Sequence, residues 1–123
     1  AIATMAGAVV AHHQAALDRW NAVLIAAGQH PVVDPPSDLK ASFDGLLARA
    51  PDGVALARLA LQLEQTLSDT YLAAVAGLQS PEAVTLAGQL QAVDQEHAAT
   101  LHYLLGGYPA PGSFQTTEKA VKV

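Results

Sequence analysis

Four residues have side chains that bind metal ions or transfer protons, at positions that predict a shared site: His13, Glu64, Asp94 and His97. Three of them interrupt the apolar stripe of a predicted helix, and Asp94 lies one turn before His97 on the flank of the same face. Burying an unpaired carboxylate is costly, and residues 59–117 contain no lysine or arginine. Two carboxylates and two imidazoles are a ligand set for a divalent ion such as iron, manganese or zinc. These residues therefore predict a metal site or, alternatively, a hydrogen-bonded polar cluster in the core.

Glycine, proline and serine residues divide the chain into three long predicted helices and one short one. The long helices are expected over about residues 2–27, 52–79 and 80–106, and the short one over about residues 37–50. A glycine ends the first, and the triplet Ser80-Pro81-Glu82 supplies an N-cap, a first-turn proline and a first-turn acid for the last. The pattern predicts an all-α, up-down helical bundle.

The expected helix lengths place the four side chains at one height. Glu64 lies 15 residues before the start of the predicted turn and Asp94 lies 14 residues after its end, so both are roughly 21 to 23 Å from it at 1.5 Å per residue. His13 and Glu64 each lie 12 residues after the start of their helices, which brings them level if those helices run parallel. Parallel neighbours need a connection that returns along the bundle, and the 23 residues between these helices are long enough for such a crossover.

The domain organisation follows from these elements. Residues 1–107 are predicted to form one helical bundle with a crossover at about 29–51, and residues 108–123 a C-terminal tail. The tail is expected to lie along the bundle through Tyr108 and Phe114.

The remaining histidines and aromatic residues receive simpler assignments. Trp20 and Tyr71 are expected in the core, with the Tyr71 hydroxyl reaching toward the site or toward His13. Surface or rim positions are expected for His12, His30, His102 and the acidic Glu96.

Composition excludes several classes of protein. The 123 residues are 51% hydrophobic, 14% charged and only 5% aromatic, which favours packed helices and excludes an all-β fold. Eleven acidic and six basic residues give a net charge of −5 without a basic cluster, so nucleic acid and anionic lipid are not expected partners. No stretch has the pattern of a membrane span or signal peptide. The absence of cysteine excludes disulfides and thiolate metal sites but leaves the compartment open.

Three segments resemble helices of the ferritin-like family, in particular the small bacterial domains related to rubrerythrins and bacterioferritins. The third family helix, with its single Glu, is similar to LQLEQTLSDTYL at residues 61–72. The fourth is similar to DQEH at residues 94–97 with the later LLGGYPAP, and the second to HHQAAL at residues 12–17. The family signature is a Glu from each of two helices and Glu-x-x-His from each of the other two. The resemblance spans about residues 9–114 and implies a four-helix bundle with divalent-metal chemistry.

Three departures separate the chain from the family pattern. Val10 stands where Glu-x-x-His would place its Glu, Asp94 replaces the longer Glu on the last helix, and the family's first helix has no counterpart. The four candidate ligands His13, Glu64, Asp94 and His97 are therefore expected to hold at most one ion. These departures favour a structural or accessory ferritin-like module with a degenerate site and no enzymatic activity. The alternative is an iron- or manganese-binding protein with residual oxidoreductase chemistry.

The chain is also expected to need a partner, because three helices cannot close a four-helix core. It begins with alanine instead of methionine, so an upstream segment is expected, and a homo-oligomer or a larger assembly would serve the same purpose. The last helix carries neutral residues where a solvated helix usually has charged pairs: Thr85, Gln89, Gln91 and Gln95. The uncovered apolar face is expected near Val9, Leu24, Leu59 and Leu63.

Overall fold

The computed structural model describes residues 2–122, which contain four α-helices and no β-strand. These are α1 (Ile2–Ala26), α2 (Ser37–Ala48), α3 (Gly53–Val75) and α4 (Pro81–Leu104). The prediction of an all-α fold with three long helices and one short helix is confirmed. None of the described helices is long and apolar enough to cross a membrane.

The helix ends follow from local side-chain and backbone chemistry. Ser80 is extended and its Oγ accepts a hydrogen bond from the Ala83 amide at 3.1 Å, while Asp52 caps α3 through the Ala55 amide at 2.8 Å. Gly28, just beyond α1, has φ +73°, a conformation that glycine adopts without strain. The prediction for α3 was four residues too long, since it ends at Val75. The chain must become extended before Pro81, because the proline ring disfavours helical geometry in the preceding residue.

The apolar core is built from small side chains on α4. All of its fully buried apolar residues except Ala16 of α1 lie on that helix: Ala83, Leu86, Ala87, Ala98 and Leu101. Helix α3 packs along α4, α1 packs against the same helix, and α2 contacts α3 without burying a residue of its own. Helix α4 is therefore the element on which the other long helices assemble.

A polar contact interrupts this core where α3 meets α4. The Ser68 hydroxyl is completely buried and accepts hydrogen bonds from the side-chain amides of Gln91 at 3.2 Å and Gln95 at 2.7 Å. These two glutamines were predicted to belong to an uncovered face, and that interpretation is wrong for them. A neutral amide suits a half-buried position because it can satisfy a buried hydroxyl without burying a charge.

Helices α1 and α3 are joined by two long side-chain pairs with the same spacing. His13 contacts Glu64, and seven residues later on each helix the Trp20 indole N–H donates to the Tyr71 hydroxyl at 3.3 Å. This equal step is the pattern of two helices that run in the same direction. Trp20 and Tyr71 are stacked but only half-buried, so the prediction that they lie in the core is wrong. The Tyr71 hydroxyl is bonded to Trp20 and not to His13 or the site.

The C-terminal tail is attached through polar groups and not through its aromatic rings. Tyr108 and Phe114 are 75% and 89% exposed, so the prediction that they hold the tail is wrong. Instead, the Thr116 hydroxyl and the Lys119 amide donate to Oδ2 of the buried Asp69 at 3.1 and 2.9 Å. A buried carboxylate requires hydrogen-bond donors, and the tail supplies them.

The Ser80 cap should contribute measurably to stability. Ser80→Ala removes the acceptor for the Ala83 amide, and we expect the free energy of unfolding in urea to fall by about 1 kcal/mol. Ser80→Asp retains an acceptor and should recover most of that loss. Ser37→Ala is the matched control, because Ser37 also stands next to a proline at a helix start but α2 has no side-chain cap. Equal effects of the two alanine variants would contradict this assignment.

Candidate metal centre

The structure brings together the four residues that the sequence nominates, from three helices. His13 lies on α1, Glu64 on α3, and Asp94 and His97 on α4. Each offers one ligand atom to a group whose members all lie within 4.8 Å of one another. Glu64, Asp94 and His97 are buried and His13 is half-buried, so the group lies inside the bundle with one side toward its surface.

The Glu64 carboxylate is the centre of this group because it contacts the other two helices at once. Its Oε1 lies 3.0 Å from Nε2 of His13, and its Oε2 lies 3.1 Å from Nδ1 of His97. An ionised carboxylate only accepts hydrogen bonds, so the ring nitrogens that face it carry protons. With 3% of its surface exposed, Glu64 depends on these two donors in place of water.

Asp94 is the residue that the cluster leaves incomplete. It is 2% exposed, and its Oδ2 is a buried oxygen without a hydrogen-bond partner among the described residues. Burial, and secondarily the negative charge of Glu64, raise the pKa of Asp94 to about 7, against a smaller opposing effect of His13. This carboxyl group therefore needs either a proton or a cation close to it.

Histidines are the site's only basic contacts in the part of the chain that the structure describes. The hydrogen bond to Glu64 raises the pKa of His13 above its usual 6.5 although partial burial acts in the opposite direction. The nearest lysine in the tail, Lys119, is bonded to Gln65 and to neither site carboxylate. Two carboxylates thus face each other with imidazoles as their only compensation.

The donor set and its spacing fit a divalent ion. Two imidazoles and two carboxylates suit iron, manganese or zinc. Ligand atoms at about 2.0–2.2 Å from such an ion lie at most about 4.4 Å apart, so a group within 4.8 Å requires only small side-chain shifts. The unpartnered Oδ2 of Asp94 is the atom that such an ion would satisfy.

His12 is the functional neighbour whose contact the sequence did not predict. It is exposed, as expected of a surface or rim residue, but its Nδ1 lies 2.9 Å from Nε2 of His97 and the two rings stack at 5.1 Å. A signal was present in its position, because a residue directly before His13 faces the neighbouring side of the same helix. His30 and Glu96 are exposed, and the half-buried His102 contacts Gln65 outside the group.

The stability of the metal-free protein should fall as pH rises from 4 to 7. Asp94 has a pKa of about 7 in the folded chain and an ordinary value of 3.8, so between these values the folded state holds a proton that the unfolded state has lost. Linkage then lowers the free energy of unfolding with each step in pH, until the loss is complete above about pH 7. His13, whose pKa is also raised, adds a contribution that is present below pH 6.5 and is lost as pH rises further.

Urea denaturation in the presence of a chelator tests this at pH 4.5, 5.5 and 6.5. Asp94→Asn should flatten the decline over that interval, since the amide does not titrate. Asp34→Asn, which changes an exposed aspartate in the connection between α1 and α2, is the control and should leave the slope unchanged. An unchanged slope in Asp94→Asn would contradict the assignment.

The comparisons with known proteins point to one family. The family model described as "Ferritin-like domain" matches residues 1–107. Comparisons with curated proteins and with solved structures gave no match. The matched range covers most of the chain and includes all four residues of the candidate centre, and the chain therefore belongs to the ferritin-like domain family.

Proposed function

We propose that this ferritin-like module holds a single divalent metal ion between His13, Glu64, Asp94 and His97. The observation that carries the proposal is the buried, unpartnered Oδ2 of Asp94 within 4.8 Å of three further ligand atoms. A buried oxygen without a partner is costly, and a cation beside it removes that cost.

Charge supports one divalent ion. Glu64 and Asp94 carry two negative charges when ionised, neutral imidazoles add none, and the surrounding helices supply no lysine or arginine. Bound there, an ion would act as a Lewis acid or, in the case of iron or manganese, as a one-electron redox centre. Glu64 would orient both imidazoles, and burial would keep bulk water away from Asp94.

The position of Val10 supports one ion in place of two. Its side chain is 69% exposed and contributes no oxygen where the family signature has a carboxylate. Asp94 is shorter than Glu by one methylene and is correspondingly less able to bridge two ions.

A second candidate function has an observation in its favour. Glu64 already accepts hydrogen bonds from both histidines, so most of the cluster is satisfied without an ion. A protonated Asp94 would complete a neutral polar core, and the module would then be a structural or accessory subunit. Metal binding separates the two candidates.

Metal titration of the chelator-treated full chain is the direct test. With zinc or anaerobic Fe(II), we expect one ion per chain, and at a free concentration of 100 times Kd a stabilisation of about 2.7 kcal/mol. Glu64→Gln and Asp94→Asn should weaken affinity at least tenfold, because each removes a charged ligand. Glu96→Gln is the matched control, since Glu96 is an exposed carboxylate on α4 next to His97.

The outcomes discriminate between the candidates. Stoichiometric binding that is lost in Glu64→Gln and retained in Glu96→Gln supports the metal centre. Binding below one ion per chain, with no change in melting temperature, favours the structural module.

We further propose that the chain works within a larger assembly, as a homo-oligomer or as one subunit of a larger protein. Leu56 and Leu63 are seven residues apart on one face of α3 and are 42% and 37% exposed, and Val10 on α1 is exposed as well. Leu63 belongs to the face predicted to be open, whereas the other three residues assigned to it are half-buried. Apolar side chains that share a face are typical of a surface covered by another helix.

Light scattering of the 123-residue chain tests the assembly. We expect a mass above that of one chain, and Leu56→Gln combined with Leu63→Gln should shift the population toward the monomer. The control pair Val32→Gln and Val33→Gln changes exposed valines of the connection and should leave the mass unchanged. A cooperatively folding monomer would remove the reason for a partner.

A further inference from the structure

We infer that His12 is a positioning residue that holds the His97 ring with its Nδ1 toward Glu64, an inference that rests on the proposed metal site only for its consequence in ion affinity. His12 lies outside the group of four ligand atoms, so its role is exerted through His97. No part of the family signature assigns this position.

The geometry gives His97 two fixed contacts, one at each ring nitrogen. Nδ1 lies 3.1 Å from Oε2 of Glu64, and Nε2 lies 2.9 Å from Nδ1 of His12. The rings of His12 and His97 are parallel to within 10°. His97 is 8% exposed, so water does not readily replace either contact, and the ring is held by α3 on one side and by α1 on the other.

The proton positions follow from these contacts. Because Glu64 accepts at Nδ1 of His97, that nitrogen carries the proton, and Nε2 of the neutral ring is left with a lone pair. His12 must therefore donate from Nδ1. An imidazole nitrogen can also accept, so His12 can hold the other tautomer of His97, with the proton on Nε2, which a metal-ligating Nδ1 requires.

Two substitutions separate this role from simple packing. His12→Phe retains an aromatic ring that stacks on His97 but has no nitrogen. His12→Asn loses the ring but places an amide group where Nδ1 stood, and an amide can donate or accept. A packing role predicts that Phe is the better replacement, whereas a positioning role predicts Asn.

The ring nitrogen chemical shifts of His97 in the metal-free full chain report its tautomer directly. We expect one tautomer, protonated at Nδ1, in the wild type and in His12→Asn, and a mixture in His12→Phe. His30→Asn is the control, because His30 is exposed and far along the chain from the cluster. In a zinc titration, His12→Phe should weaken affinity by about 10- to 100-fold, the usual effect of removing a partner of a metal ligand, and His12→Asn should stay close to the wild type.

The two measurements distinguish failure of this inference from failure of the metal site. Ring shifts of His97 that are the same in His12→Phe as in the wild type overturn the positioning role, and so does a perturbation in His12→Asn as large as that in His12→Phe. If the wild type binds no zinc but His12→Phe alone disturbs the tautomer, the metal proposal fails and the positioning role is supported.

Discussion

The pair of hydrogen bonds that the Glu64 carboxylate accepts is the contact on which the arrangement of the three long helices depends. A carboxylate at 3% exposure requires donors, and they come from His13 on α1 and His97 on α4. The apolar core cannot fix this arrangement alone, because its fully buried members are alanines and two leucines, almost all on α4. Small side chains permit close packing but specify few relative positions, whereas a buried polar contact tolerates little displacement.

The attachment of α1 shows the same division of labour. Its only fully buried apolar residue is Ala16, and its links to α3 are the long side chains of His13 and Trp20. Trp20 stays half-buried because the region between α1 and α3 is covered on one side only, by α4. The exposed apolar residues of α1 and α3 are thus a direct consequence of joining two helices through long side chains over a third.

The sequence predicted what local chemistry and helix geometry determine. The caps at Asp52 and Ser80 set two helix starts, and a rise of 1.5 Å per residue placed His13, Glu64 and His97 at one height before any contact was known. The contact of His12 was not predictable in this way, because it depends on the lateral position of α4 against α1. The path of the tail was missed for a related reason: Tyr108 and Phe114 suggested apolar packing, while the decisive feature was a buried acid on another helix.

The departures from the family signature change the character of the cluster as well as its ligand count. With Val10 in place of a carboxylate, the cluster contains two acids and two histidines, a set that can be neutral when Asp94 is protonated and also neutral around one divalent ion when it is ionised. A cluster with further buried acids could not reach neutrality by protonating one residue. The same four side chains are therefore compatible with a folded metal-free state and a metal-bound state, and the pKa of Asp94 near 7 places the exchange of a proton for a cation close to neutral pH.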